Sequence, residues 1–132
     1  MGLFSKKQKS PRGITLLVMK LMSPHEVQAI WDVVYSDTEV LGRLIEHGLA
    51  PDLATSHETS TLGFKTQIEY QITGRPGAII TYYAEFYQSP GFVSINVSGD
   101  TEAVEDAQAA FTELEPIIAG KLPGVQIMTP TT

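Results

Sequence analysis

The sequence predicts a soluble α+β domain: a mostly antiparallel sheet of four to five strands with helices packed on one face. Three observations carry that expectation. An apolar run at 14–22 gives way to two stretches with helical spacing. Three runs with period-two alternation follow, separated by short Gly/Pro turns. A last helical stretch then closes the chain. At 132 residues, 42% of them hydrophobic and 18% charged, the chain suits one globular domain with a real core.

Taken in order, Ile14 to Met22 is rich in Ile, Leu and Val, and reads as a central strand buried on both faces. Ser23-Pro24-His25-Glu26 opens a helix, with Ser23 placed to cap and Glu26 to complete a capping box. Val27, Ile30, Trp31 and Val34 form its apolar stripe. Ser36-Asp37-Thr38-Glu39 restarts the pattern, Val40, Leu41, Leu44 and Ile45 form a second stripe, and Gly48 is the natural stop. Residues 54–61 carry threonines but no apolar face, so they read as a loop or a short edge strand.

From 62 to 72 alternation is clean, with Leu62, Phe64, Thr66, Ile68, Tyr70 and Ile72 on one face and Lys65, Gln67, Glu69 and Gln71 on the other. Ala78 to Gln88 is a second strand, apolar or aromatic on both sides: Ile80, Tyr82, Ala84 and Phe86 against Ile79, Tyr83 and Tyr87. Phe92 to Ser98 is a third, and the short connections make the three a meander. Asp100 caps the last helix, whose stripe is Val104, Ala107, Phe111, Leu114 and Ile118. Pro116 should bend or interrupt it, and Val125 to Met128 offers a short edge strand. The order, strand, two helices, three or four strands, helix and an optional strand, is similar to ferredoxin-like and TATA-box-protein-like sheets, an analogy of fold alone.

The domain is expected to span residues 13–128, between a flexible basic tail at 1–12 and a short tail at 129–132. Lys6, Lys7, Lys9 and Arg12 give the first segment +4. Five basic and fifteen acidic side chains leave the remainder at −10, consistent with the overall −6. So acidic a body argues against nucleic acid, because phosphates need a basic face. Leu3 and Phe4 beside the lysines offer contact with an anionic bilayer, although one apolar pair and four charges make a weak anchor. With no cysteine and no apolar run of about 20 residues, a cytoplasmic location is expected.

Catalytic motifs are missing. There is no Gly-x-Ser-x-Gly elbow and no glycine-rich phosphate loop. His25, His47 and His57 have no metal-ligand spacing, although Asp52 and Glu58 share the loop bracketed by the last two. Glu69 and Glu85 lie on neighbouring strands but read as an ordinary solvated sheet face. No catalytic residue, cofactor or metal is therefore expected. The aromatics carry more information. Ile79, Tyr83, Tyr87 and Phe92 need a cover that the core face does not supply. That points to a self-associating or protein-docking module, hence a homo-oligomer or a protein partner. The alternative is a small-molecule site or small enzyme with a pocket between sheet and helices, using Trp31, Tyr70, Tyr82 and Glu85.

Overall fold

A computed structural model describes residues 12–61 and 65–128, so the expectations for the tails at 1–11 and 129–132, and for Leu62 and Phe64, lie outside the described residues. The chain runs β1 (Arg12–Leu21), α1 (Glu26–Val34), α2 (Thr38–Glu46), β2 (Pro51–Thr61), β3 (Lys65–Ile72), β4 (Ile79–Glu85), β5 (Gly91–Gly99), α3 (Thr101–Lys121) and β6 (Ile127–Met128). The fold class is the expected α+β, with every strand pairing antiparallel in a single sheet of order β2-β3-β4-β5-β1-β6. Among the described residues the sheet has six strands, because residues 51–61 form a full edge strand and 127–128 add a short one.

The helices lie on one face, over a core in which Ile80, Tyr82, Val93, Ile95, Leu17 and Met19 are fully or almost fully buried. β1 is not the central strand its apolar run suggests: it is next to last in the sheet, with β5 along its length and only the two-residue β6 on its other side. Nor is it buried on both faces, since Thr15 is exposed and Val18 and Lys20 are half-buried. Its excess of apolar residues comes from a bulge. The register slips between Thr15 and Leu17, so Leu16 and Leu17 are consecutive and both buried.

The helix starts follow local chemistry. Glu26 Oε1 accepts from the N–H groups of Met22 at 2.8 Å and Ser23 at 3.3 Å, and Ser23 Oγ accepts from His25 N. Asp37 caps α2, its carboxylate accepting from the N–H groups of Glu39 and Val40. Gly48 leaves that helix at φ 74°, a conformation that favours glycine. Of the expected α2 stripe, Val40 and Leu44 are buried and Ile45 is 57% exposed. α3 runs unbroken through Pro116, whose side is turned to solvent. At the start of β5, a Cβ on Gly91 would collide with the carbonyl oxygen of Glu85, so only glycine lets the two strand ends approach there.

Candidate interaction surface

The face of the sheet away from the helices is set by the pleat and the register. In β4, Ile80, Tyr82 and Ala84 point to the helices, and Ile79, Thr81, Tyr83 and Glu85 to the other side. The pairs Gln67↔Tyr83↔Ser94↔Val18 and Glu69↔Thr81↔Asn96↔Thr15 continue that face across four strands. One row further along, Lys65, Glu85, Phe92 and Lys20 lie in line. Charge is therefore gathered in that end row and at Glu69, while the middle is made of Tyr, Val, Ser, Thr, Asn and Gln.

Tyr83 is the centre of this face. Its ring lies 5.9 Å from that of Phe92, and its hydroxyl donates to Glu85 Oε1 at 2.5 Å. The hydrogen bond to a carboxylate, helped by partial burial, pushes its phenol up to about 12. Beside it, Thr15 Oγ1 donates to Asn96 Oδ1, and Asn96 Nδ2 donates to Ser94 Oγ. Where Gly13 and Ser98 supply little side chain, a shallow hollow of about 260 Å³ opens against Thr15, Thr81 and Asn96. Three of the four expected interface residues, Ile79, Tyr83 and Phe92, share this face and are half-buried. Tyr87 follows the end of β4 at Glu85, close enough to Tyr83 to act on its hydroxyl electrostatically. It is 56% exposed beyond the strand end, with Lys65 Nζ 5.8 Å from its ring centre.

The expected pocket residues divide differently. Trp31, Tyr70 and Tyr82 do meet between sheet and helices, but as packed core, all nearly or fully buried. Tyr82 is edge-on to Trp31 at 6.4 Å and 5.8 Å from Tyr70, and the two tyrosine hydroxyls are 2.9 Å apart. Burial pushes Tyr70 up to about 12 and Tyr82 well above its usual value. Glu85, three residues on from Tyr82, is on the opposite face of the pleat and does not join the aromatic cluster. Tyr35 does join it, 5.8 Å from Tyr82 and 6.1 Å from Tyr70, with its hydroxyl hydrogen-bonded to Ser56. Sequence reading overlooked it, although its spacing of four from Trp31 continues the helix stripe. A separate cavity of about 190 Å³ opens where Leu21, Pro24 and Val27 face Thr66, Ala84, Glu85 and Phe86, so that Glu85 alone of the expected pocket residues lines it. That is below the ~300 Å³ of ordinary ligand pockets.

The charged groups are dispersed among structural contacts. His47 Nε2 lies 3.0 Å from Glu113, Arg75 pairs with Asp106 at 2.6 Å, and Lys121 bridges Asp37 and Glu39. Glu69 stands across from Thr81 and Glu85 across from Lys65, so the two carboxylates do not face each other. His57 is exposed on β2, and Asp52 accepts from Ala54 N. Among the described residues no group of three or more His, Asp or Glu is placed to hold a metal ion, and no helix is long and apolar enough to cross a membrane.

No family model and no curated protein matches the chain. Among solved structures, it is similar to the adenosylmethionine decarboxylase from Aquifex aeolicus VF5, at 12% identity over 94% of this chain and 92% of that one, with a TM-score of 0.38. It is also similar to CalU16 from Micromonospora echinospora, at 7% identity over 85% and 93%, with a TM-score of 0.32. Likenesses this remote carry no argument about what the chain does.

Proposed function

We propose that this chain is a self-associating interaction module that meets a second copy of itself through the open face of the sheet. The observation behind the reading is the half-buried Tyr83–Phe92 ring pair, on a face without helices, set among the uncharged Gln67, Thr81, Ser94 and Asn96. Interface centres are poor in charge and rich in tyrosine, which combines a large rigid ring with a hydroxyl that hydrogen-bonds. Residues 13–132 carry −10, so two copies repel over most of their surface. They repel least where charge is sparse, and a two-fold contact uses the same patch twice.

Tyr83→Glu tests this. The variant adds a carboxylate beside Glu85 in the middle of the patch and leaves the core side of β4 untouched. Sedimentation should give a dimer for the parent and a monomer for the variant, with unchanged circular dichroism. A parent that sediments as a monomer at high micromolar concentration would refute self-association.

A further inference from the structure

The sheet has a second surface that ordinary proteins do not leave plain. β2 is its outermost strand, 11 residues long, and among the described residues β3 is its only neighbour in the sheet. Edge strands carry unpaired N–H and C=O groups and are usually blunted by short length, lysine, proline or a bulge. β2 has a bulge, confined to its first half. The register with β3 breaks between Asp52 and His57, where Thr55 Oγ1 accepts the Gln71 N–H at 2.8 Å and Ser56 is tied to Tyr35. The second half is regular, pairing with β3 in unbroken sequence from His57↔Glu69 to Thr61↔Lys65. That half contains no proline, glycine or lysine, and His57, Glu58, Thr59 and Ser60 are all exposed.

We propose that this half of β2 pairs antiparallel with the same segment of a second copy, about a two-fold axis at Thr59, so that two sheets become one. The inference goes beyond the open-face reading and does not depend on it, since it concerns the edge of the sheet. The segment itself argues for a second copy as the occupant. Centring on Thr59 sets Thr59 opposite Thr59, Glu58 opposite Ser60 and His57 opposite Thr61, with no like charges face to face. Threonine–threonine and carboxylate–hydroxyl pairs across strands are favourable, and directly opposed like charges are not. Centring one residue earlier would set Glu58 against Glu58, which the charge pattern disfavours. The stretch also carries a single carboxylate, in a body that is otherwise strongly acidic.

The absence of cysteine makes a direct test available. Single cysteines are placed at Glu58, Thr59 and Ser60 on the edge and at Tyr83 on the open face. Each variant is checked by circular dichroism and oxidised mildly, and dimers are read on a non-reducing gel. Residues directly opposed in an antiparallel pair lie about 4.5–5.5 Å apart at Cα, within disulfide reach, whereas the same residue one step off the axis lies too far diagonally. Thr59→Cys should therefore cross-link several-fold more than Glu58→Cys or Ser60→Cys. Equal cross-linking at the three edge positions, as random collision gives, overturns the proposal, and so does a lack of cross-linking at all three. A Tyr83→Cys dimer without a Thr59→Cys dimer overturns the edge contact and keeps the open-face reading. The reverse pattern keeps the edge contact and removes that reading. Ser60→Pro, which deletes a backbone donor that faces away from β3 because Thr59 pairs with Gln67, should abolish the same association while Ser60→Ala preserves it.

Discussion

Tyr82 and Tyr83 follow each other in β4, and the pleat sends them to opposite faces. Tyr82 is fully buried against Trp31, Tyr35 and Tyr70, with its hydroxyl on that of Tyr70. Tyr83 is half-buried against Phe92 and gives its proton to a bond with Glu85. Both phenols resist ionisation, the first because burial penalises the phenolate, the second chiefly because a carboxylate already accepts its hydrogen. An aromatic residue on a strand thus has no role until its face is known. On the helix side it stabilises the fold, and on the open side it is free to serve association.

The largest effect that could break this comparison comes from the helix side. Trp31→Ala removes a side chain that is 6% exposed and lies edge-on to Tyr82, and should cost about 3–5 kcal/mol in denaturant unfolding. Tyr83→Ala should cost about 1 kcal/mol or less, as surface positions do. Equal losses would show that the open face is as much a part of the core as the helix side.

A smaller effect sharpens the comparison to a single atom. Tyr82→Phe keeps the ring but leaves the Tyr70 hydroxyl buried without its partner, which should cost about 1–3 kcal/mol. Tyr83→Phe, on the open face, should stay within about 0.5 kcal/mol of the parent. Thermal unfolding of the two variants side by side gives the answer. A Tyr82→Phe melt matching the parent would mean that the hydroxyl pair contributes nothing.

Where sequence alone succeeded and where it ran short follows from the same physics. The stripes of α1 and α3 were legible because every residue of a helix face is fixed by a 3.6-residue period, and Ile30, Trp31, Phe111 and Leu114 are all buried. The alternation of β4 likewise separated Tyr82 from Tyr83. β2 was not legible as a full strand, since its stability comes from pairing with β3 and from the Thr55 and Ser56 side-chain bonds rather than from an apolar face. The bulge at Leu16 hid the polar side of β1 for a similar reason: one inserted residue makes consecutive apolar side chains look like a strand buried twice. Alternation within β4 also assigned Glu85 to the open side, but only the structure shows that it accepts from Tyr83 and stands across from Lys65.

The smallest effect separates the two causes that hold the phenols neutral. A tyrosine whose proton is held more tightly in the folded state than in the unfolded chain stabilises the fold fully below the ordinary pKa of about 10, and that contribution fades as pH climbs through the folded value. For Tyr70 and Tyr83 the folded value is about 12, and for Tyr82 it lies well above the usual one. Stability should therefore decline from about pH 10 upward, and these three phenols should stay protonated when ordinary tyrosines ionise. Phenolate absorbance against pH, recorded with circular dichroism, follows both events. Glu85→Gln then distinguishes the faces. It removes the carboxylate that holds the Tyr83 proton, so one phenol should move down toward the ordinary range without loss of structure. Tyr70 and Tyr82 depend on burial and should still ionise only as the fold opens. An unchanged titration in Glu85→Gln would show that Tyr83, too, is protected by burial, and the contrast between the two faces of β4 would be lost.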